Sequence, residues 1–203
     1  MKNHFPFLGI KAPELKALVK TFFQEEGKPD VHTLHDIVLS LWHEPEREFQ
    51  YVALQILAAN KKQLTIDDMP LLEKMVVEKS WWDTVDLIAS NLIGYLLIHN
   101  EEAIEAYTEK WINSDNMWLN RTAILYQLKF KEKTDVTRLF RYIGLMRLSK
   151  EFFIQKAIGW ALREYSKTDP AIVETYINET DLAPLSVREG LKIIRKKTVK
   201  DRC

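Results

Sequence analysis

The 203-residue chain carries 29 Lys+Arg against 29 Asp+Glu, is 46% hydrophobic, and holds only six glycines and seven prolines. That balance suits a globular protein with one sizeable core, and it argues against β-sandwiches and Gly-rich phosphate loops. The single cysteine, Cys203, is the last residue, so disulfides and cysteine metal sites within one chain are excluded. No apolar run approaches the ~20 residues that span a bilayer. Met1-Lys2-Asn3-His4-Phe5-Pro6 is not followed by a signal-peptide core. The expectation is a cytoplasmic monomer with no membrane partner.

Apolar residues recur every three to four positions through nearly the whole chain and no alternating strand is visible, which predicts an all-α fold. Helices are expected near 12–26, 31–42, 46–59, 68–78, 80–98, 101–113, 116–130, 134–147, 150–166, 169–178 and 184–198. The breaks fall at Gly27-Lys28-Pro29-Asp30, Glu44-Pro45, Thr168-Asp169-Pro170 and Ala183-Pro184. Short connections favour antiparallel neighbours.

The helices repeat. Segments starting at Phe49, Trp82, Trp118, Phe153 and Leu185 superpose with steps of 33, 36, 35 and 32 residues. A period near 35 built from two helices is the signature of an α-solenoid of the HEAT or armadillo kind, here one domain over 1–203. In that register the fourth slot reads Val52, Val85, Arg121, Lys156 and Arg188, so three successive repeats carry a cation. Such a stripe, stepping about 10 Å per helix, can follow a phosphate backbone or lie on a solvated rim. Charge is also distributed unevenly. From Met117 to Cys203 there are 18 Lys+Arg and 10 Asp+Glu, a surplus of 8 positive charges that residues 1–116 balance. This marks either an anion-binding half or a basic tail at Arg195-Lys196-Lys197 and Lys200-Asp201-Arg202.

Two segments hold unusual chemistry. Lys79-Ser80-Trp81-Trp82-Asp83-Thr84-Val85-Asp86 places two indoles and two carboxylates in eight residues. On a helix, Trp82 and Asp86 share one face at i,i+4 spacing. Either Trp81 packs inward and Asp86 is a solvated charge, or an aromatic wall stands beside an anion. In Gly159-Trp160-Ala161-Leu162-Arg163-Glu164-Tyr165, Trp160 has Lys156 four residues before it and Arg163 three after it. Trp160 is then a core residue, or a stacking surface in a basic groove. There is no Gly-rich phosphate loop, no metal pattern, no His-Glu-x-x-His and no serine nucleophile elbow. His32 and His35 lack a third ligand at a convincing spacing. Chemistry without a cofactor or metal falls to carboxylate, indole and guanidinium.

From about Phe5 to Lys196 the chain resembles the HEAT-like repeat alkylpurine DNA glycosylases of the AlkD type. The resemblance rests on Phe7-Leu8-Gly9-Ile10-Lys11-Ala12-Pro13, on Leu41-Trp42-His43-Glu44-Pro45-Glu46-Arg47-Glu48-Phe49-Gln50, and on the Lys79–Asp86 segment. It continues through Asn116-Met117-Trp118-Leu119-Asn120-Arg121 and the run from Lys150 to Trp160. Family members usually carry a further helix upstream of Phe7-Leu8-Gly9-Ile10, and this sequence begins just before that segment.

The resemblance implies that Asp86 is the catalytic carboxylate, that Trp82 and Trp160 are aromatic walls beside the lesion's deoxyribose, and that Arg121 holds the DNA backbone. Lys156, Arg163 and Arg188 extend the expected DNA contact. The implied substrate is double-stranded DNA containing N3- or N7-alkylated purines. A non-catalytic HEAT-repeat scaffold binding DNA or protein also accounts for the repeats and the basic stripe, but not for the Trp82/Asp86 pair.

Overall fold

The computed structural model describes residues 3–200; Asp201, Arg202 and Cys203 at the end of the basic run lie outside the described residues. Every regular element among the described residues is helical. Two compact units are present, one ending at Ile88 and the other beginning at Ala89.

The first unit contains α1 (Ala12–Glu25), α2 (Val31–His43), α3 (Arg47–Ala59), α4 (Met69–Val77) and α5 (Trp82–Leu87). Helix α3 is central: α1, α2 and α5 all pack on it, and α4 packs on α5. The Asp30 side chain starts α2 by accepting the His32 and Thr33 N–H groups at 2.8 and 3.1 Å. The end of α2 is closed from α3. Gln50 Nε2 donates to the Leu41, Trp42 and Glu44 carbonyls at 3.3, 3.1 and 2.8 Å, which satisfies orphan acceptors of the last turn. Lys79 Nζ adds a bond to the His43 carbonyl at 2.9 Å and another to Glu44. Leu34, Val38, Trp42, Ala53, Leu57, Met75 and Val85 form the core, all fully buried.

A π-helical turn, Ile88–Ile93, starts at the last residue of the first unit; the second unit then contains α6 (Gly94–Leu97) and α7 (Glu101–Ile112). Then come α8 (Met117–Leu125), α9 (Val136–Met146), α10 (Phe152–Tyr165), α11 (Pro170–Glu179), α12 (Pro184–Gly190) and α13 (Lys192–Lys200). Helix α10 packs between α8 and α12 in one row, with α7 against α8 and α11 against α10 and α12. Asn120 on α8 repeats the device seen at Gln50: its Nδ2 donates to the Trp111, Ile112 and Ser114 carbonyls at 2.9, 3.2 and 2.8 Å. Gln155 on α10 donates to the Ser149 carbonyl at 3.0 Å. All three amides reach a carbonyl six residues back, so the 35-residue period is written into polar bonding as well as apolar spacing. Two-helix units with α-solenoid organisation are the observed architecture of both halves.

Most expected helices appear within two residues of their sequence limits; three differ. The 80–98 helix is interrupted by the π turn. The 116–130 helix stops at Leu125, because buried Gln127 is recruited to bridge the next loop, accepting the Asp135 N–H at 2.9 Å and donating to its carbonyl at 3.2 Å. The 184–198 helix is split into α12 and α13 at Gly190-Leu191, where glycine has the weakest hold on helical geometry. Arg195 and Lys196, read as tail residues, therefore belong to α13. Among the described residues no helix is long and apolar enough to cross a membrane.

Candidate nucleic-acid interface

The first candidate face lies on α5. Its approach is an extended Trp81 preceded by Lys79 at φ 50°, a left-handed conformation uncommon for lysine. What holds the start of this helix in place is Arg47, whose side chain is completely buried. Its Nε and Nη2 form a fork on Asp83 at 3.2 and 2.7 Å, Nη2 also reaches Thr84 Oγ1 at 2.8 Å, and Nη1 donates to the Lys79 carbonyl at 2.9 Å. Tyr51 donates its hydroxyl to the same Asp83 carboxylate at 2.5 Å. Burial and that bond together push the Tyr51 phenol well above its usual range. Burial and the neighbouring Arg47 charge lower the Lys79 ammonium.

A second carboxylate, Glu48, ties down the N-terminal segment by accepting the N–H groups of Leu8, Gly9 and Ile10 at 3.0, 2.9 and 3.2 Å. Burial alone raises its pKa, but the backbone bonds outweigh burial and hold the carboxyl below its ordinary value. The turn needs Gly9, which sits at φ 88°. The anchored segment lays Phe5 against the Arg47 guanidinium at 4.1 Å and His4 against Trp81 at 4.2 Å.

This scaffold presents Trp82 to solvent at 47% exposure while Asp86, one turn further, is buried at 9%. The distribution inverts what a bland surface helix shows: the indole is out and the carboxylate is in.

The second candidate face lies on the α8, α10 and α12 row. Lys156, Trp160 and Arg163 share one face of α10, and Trp160 is half-buried, neither a core residue nor a free one. Arg163 Nη1 and Lys156 Nζ both bond the buried Glu189 carboxylate of α12 at 3.0 Å. Lys192 of α13 adds bonds at 2.7 and 2.6 Å. The Lys192 bond, opposed by burial and assisted by Lys156, brings the Glu189 pKa down to about 2. Arg188, its neighbour on α12, is exposed. Arg121 on α8 is 3% exposed; its guanidinium bonds the Phe153 carbonyl and lies 6.0 Å from the Phe153 ring. Arg121 therefore has a structural task between α8 and α10.

The helix starts correct the repeat register. The fifth residues of α3, α5, α8, α10 and α12 are Tyr51, Asp86, Arg121, Lys156 and Arg188, with steps of 35, 35, 35 and 32. Val52 and Val85, expected in that slot, are each displaced by one. Aligning on aromatics caused the slip, because Phe49 is the third residue of its helix, Trp82 the first, and Trp118 and Phe153 the second. Asp86 thus occupies the helical position that holds cations in the later repeats. Sequence reasoning also missed Arg47, Asp83 and Glu48. Arg47 and Gln50 share an inward i,i+3 spacing at the head of an amphipathic helix, a pattern in which a charged residue signals a buried pair.

The model of the DNA alkylation repair enzyme family matches residues 1–194. Among solved structures, the chain is similar to a predicted DNA alkylation repair enzyme from Enterococcus faecalis, with 36% identity and a TM-score of 0.86. That match covers 94% of this chain and 89% of the other. Among curated proteins, none matches. A family match over nearly the whole length, joined to a solved structure of the same fold, is sufficient: this chain belongs to the DNA alkylation repair enzyme family.

Proposed function

We propose that this protein is a monofunctional DNA glycosylase that hydrolyses the N-glycosidic bond of cationic N3- and N7-alkylated purines in duplex DNA. It acts as a cytoplasmic monomer and leaves an abasic site. The observation that carries this reading is the pairing, one turn apart on α5, of exposed Trp82 with buried Asp86.

The chemistry follows from the charge of the lesion. An alkylated purine already carries a positive charge, so it leaves without protonation by a strong acid. The charge that develops in the transition state sits on the sugar as an oxocarbenium ion. A carboxylate held in a low-dielectric environment stabilises that charge and orients the attacking water. Indole faces at Trp82 and Trp160 add attraction for a cation. Arg121, Lys156, Arg163 and Arg188 provide the backbone contacts of this reading. Most glycosylases extrude the base into a closed pocket; here the working groups address the sugar and backbone, and the base stays in the duplex.

The test is release of free 7-methylguanine from alkylated duplex in the presence of chelator, followed by gel analysis with and without hot alkali. The proposal expects base release without metal and strand breaks only after alkali. Binding without base release would identify a non-catalytic scaffold. Breaks without alkali, or a borohydride-trapped adduct, would show that an amine is the nucleophile.

A further inference from the structure

The feature of the second unit that backbone contact does not by itself account for is Glu189. A carboxylate placed in a DNA-contacting face repels phosphate, yet this one is buried at the centre of three cations. Its acceptor sites are full. Oε1 takes Lys156 at 3.0 Å and Lys192 at 2.7 Å, and Oε2 takes Arg163 at 3.0 Å and Lys192 at 2.6 Å. A carboxylate has about four lone-pair sites, so nothing remains with which to act as a base. Conversely, each cation spends only part of itself: an ammonium has three donors and a guanidinium five. Lys156 and Arg163 keep 38% and 29% side-chain exposure, and each has donors beyond the one spent on Glu189.

The backbone is built for this arrangement. A Cβ on Gly159 would stand 2.5 Å from Glu189 Cβ and 3.0 Å from the Ser186 carbonyl, so α10 and α12 approach as closely as a glycine permits. Ser186 Oγ fixes the same crossing by donating to the Gln155 carbonyl at 2.9 Å. Gly159 lies directly before Trp160, and of the three cations held by Glu189 the two on α10 flank Trp160 at −4 and +3.

We infer that Glu189 is a positioning residue: it draws Lys156 and Arg163 off the face of Trp160 and fixes both at the spacing of a phosphate contact. Without its charge the Arg163 guanidinium is free to settle on the indole three residues earlier, a favourable cation–π contact that covers the surface the sugar needs. The three cations less one carboxylate leave a surplus of two positive charges for the duplex. This inference rests on the glycosylase reading for its effect on excision, and on duplex binding alone for its effect on salt dependence.

The experiment uses the full chain carrying Glu189→Gln, with single-turnover excision of 7-methylguanine and equilibrium binding of undamaged duplex over a salt series. Excision should fall about tenfold through misplacement of the contacts. The slope of log K against log salt should steepen by ~1, because one more cation becomes available to phosphate. In a background with Lys156→Met and Arg163→Met, where Glu189 holds only Lys192, adding Glu189→Gln should leave excision unchanged. A purely structural role would lower excision equally in both backgrounds, and that result overturns the inference, as does an unchanged salt slope in the single variant. If the amide variant does not fold, Glu189→Asp keeps the charge but is one methylene too short to reach both cations. It should slow excision and leave the slope unchanged; wild-type excision in that variant overturns the inference. A wild-type protein that excises nothing, combined with the steeper slope in Glu189→Gln, would sink the glycosylase reading and retain Glu189's role in duplex binding.

Discussion

Arg47 and Asp83 are joined by a two-bond guanidinium–carboxylate fork whose arginine side chain has no solvent exposure. It ties α3 to the first turn of α5, the turn that carries Trp82 and leads to Asp86. Removing one partner of such a pair leaves the other buried and uncompensated. Arg47→Met is therefore expected to destabilise the protein by about 3–5 kcal/mol, read from urea unfolding. Arg47→Lys should recover little, because an ammonium cannot reproduce a planar fork. A loss no larger than that of a surface pair, about 0–1 kcal/mol, would show that the fork is incidental.

Asp86→Asn keeps the shape of the buried side chain and deletes its charge. Excision is expected to drop by roughly 10²–10³, while affinity for alkylated duplex stays level or rises slightly. Comparing single-turnover rates with binding isotherms separates the two effects. Excision at the wild-type rate would remove Asp86 from the chemistry.

Arg121→Ala should weaken both duplex binding and excision, and lower the salt slope by ~1 if the arginine neutralises a phosphate. Its bond to the Phe153 carbonyl adds a stability loss, so folding must be monitored alongside. A stability loss with an unchanged slope would assign Arg121 wholly to holding α8 against α10.

Acid should expose the Glu189 network. With the folded pKa at about 2 against a reference of 4.5, the folded state binds its proton later than the unfolded chain does. The associated stability is complete above pH 4.5 and is lost as pH falls from there toward 2. Glu48, also held low by its backbone bonds, contributes in the same direction. Glu189→Gln should thus be less stable than the wild type at neutral pH but lose less on acidification, measured by denaturant unfolding at stepped pH. Parallel stability curves for the two proteins would contradict this.

Gly159→Ala places a methyl where 2.5 Å separates it from Glu189 Cβ. Overpacking of this kind costs typically 1–3 kcal/mol, about the loss expected in melting or urea experiments. The usual gain of replacing a helical glycine by alanine, about 0.5–1 kcal/mol, would appear instead if α12 moved aside, and would show that the crossing is not tightly fixed.

Much of this protein is legible along the chain because its bonding is local. Helix periodicity, the Asp30, Asn116 and Asp169 caps, and the prolines at helix starts depend on residues within a few positions of one another. So does the i,i+4 pairing of Trp82 with Asp86. A period near 35 residues is visible for the same reason, since each repeat writes the same pattern again. Its register slipped by one because bulky residues tolerate a shift along a helix, whereas an amide that must reach a carbonyl six residues back does not. What the sequence left open was decided by packing between helices. Whether Asp86 or Trp82 faced solvent depended on Arg47 and Tyr51 fixing Asp83, residues more than thirty positions away. The partner of Lys156 and Arg163 was likewise hidden, because Glu189 reaches them only through the close crossing that Gly159 allows. Charge type and helical face are properties of a segment; burial and ion pairing are properties of the contact between segments, and only the tertiary structure determines them.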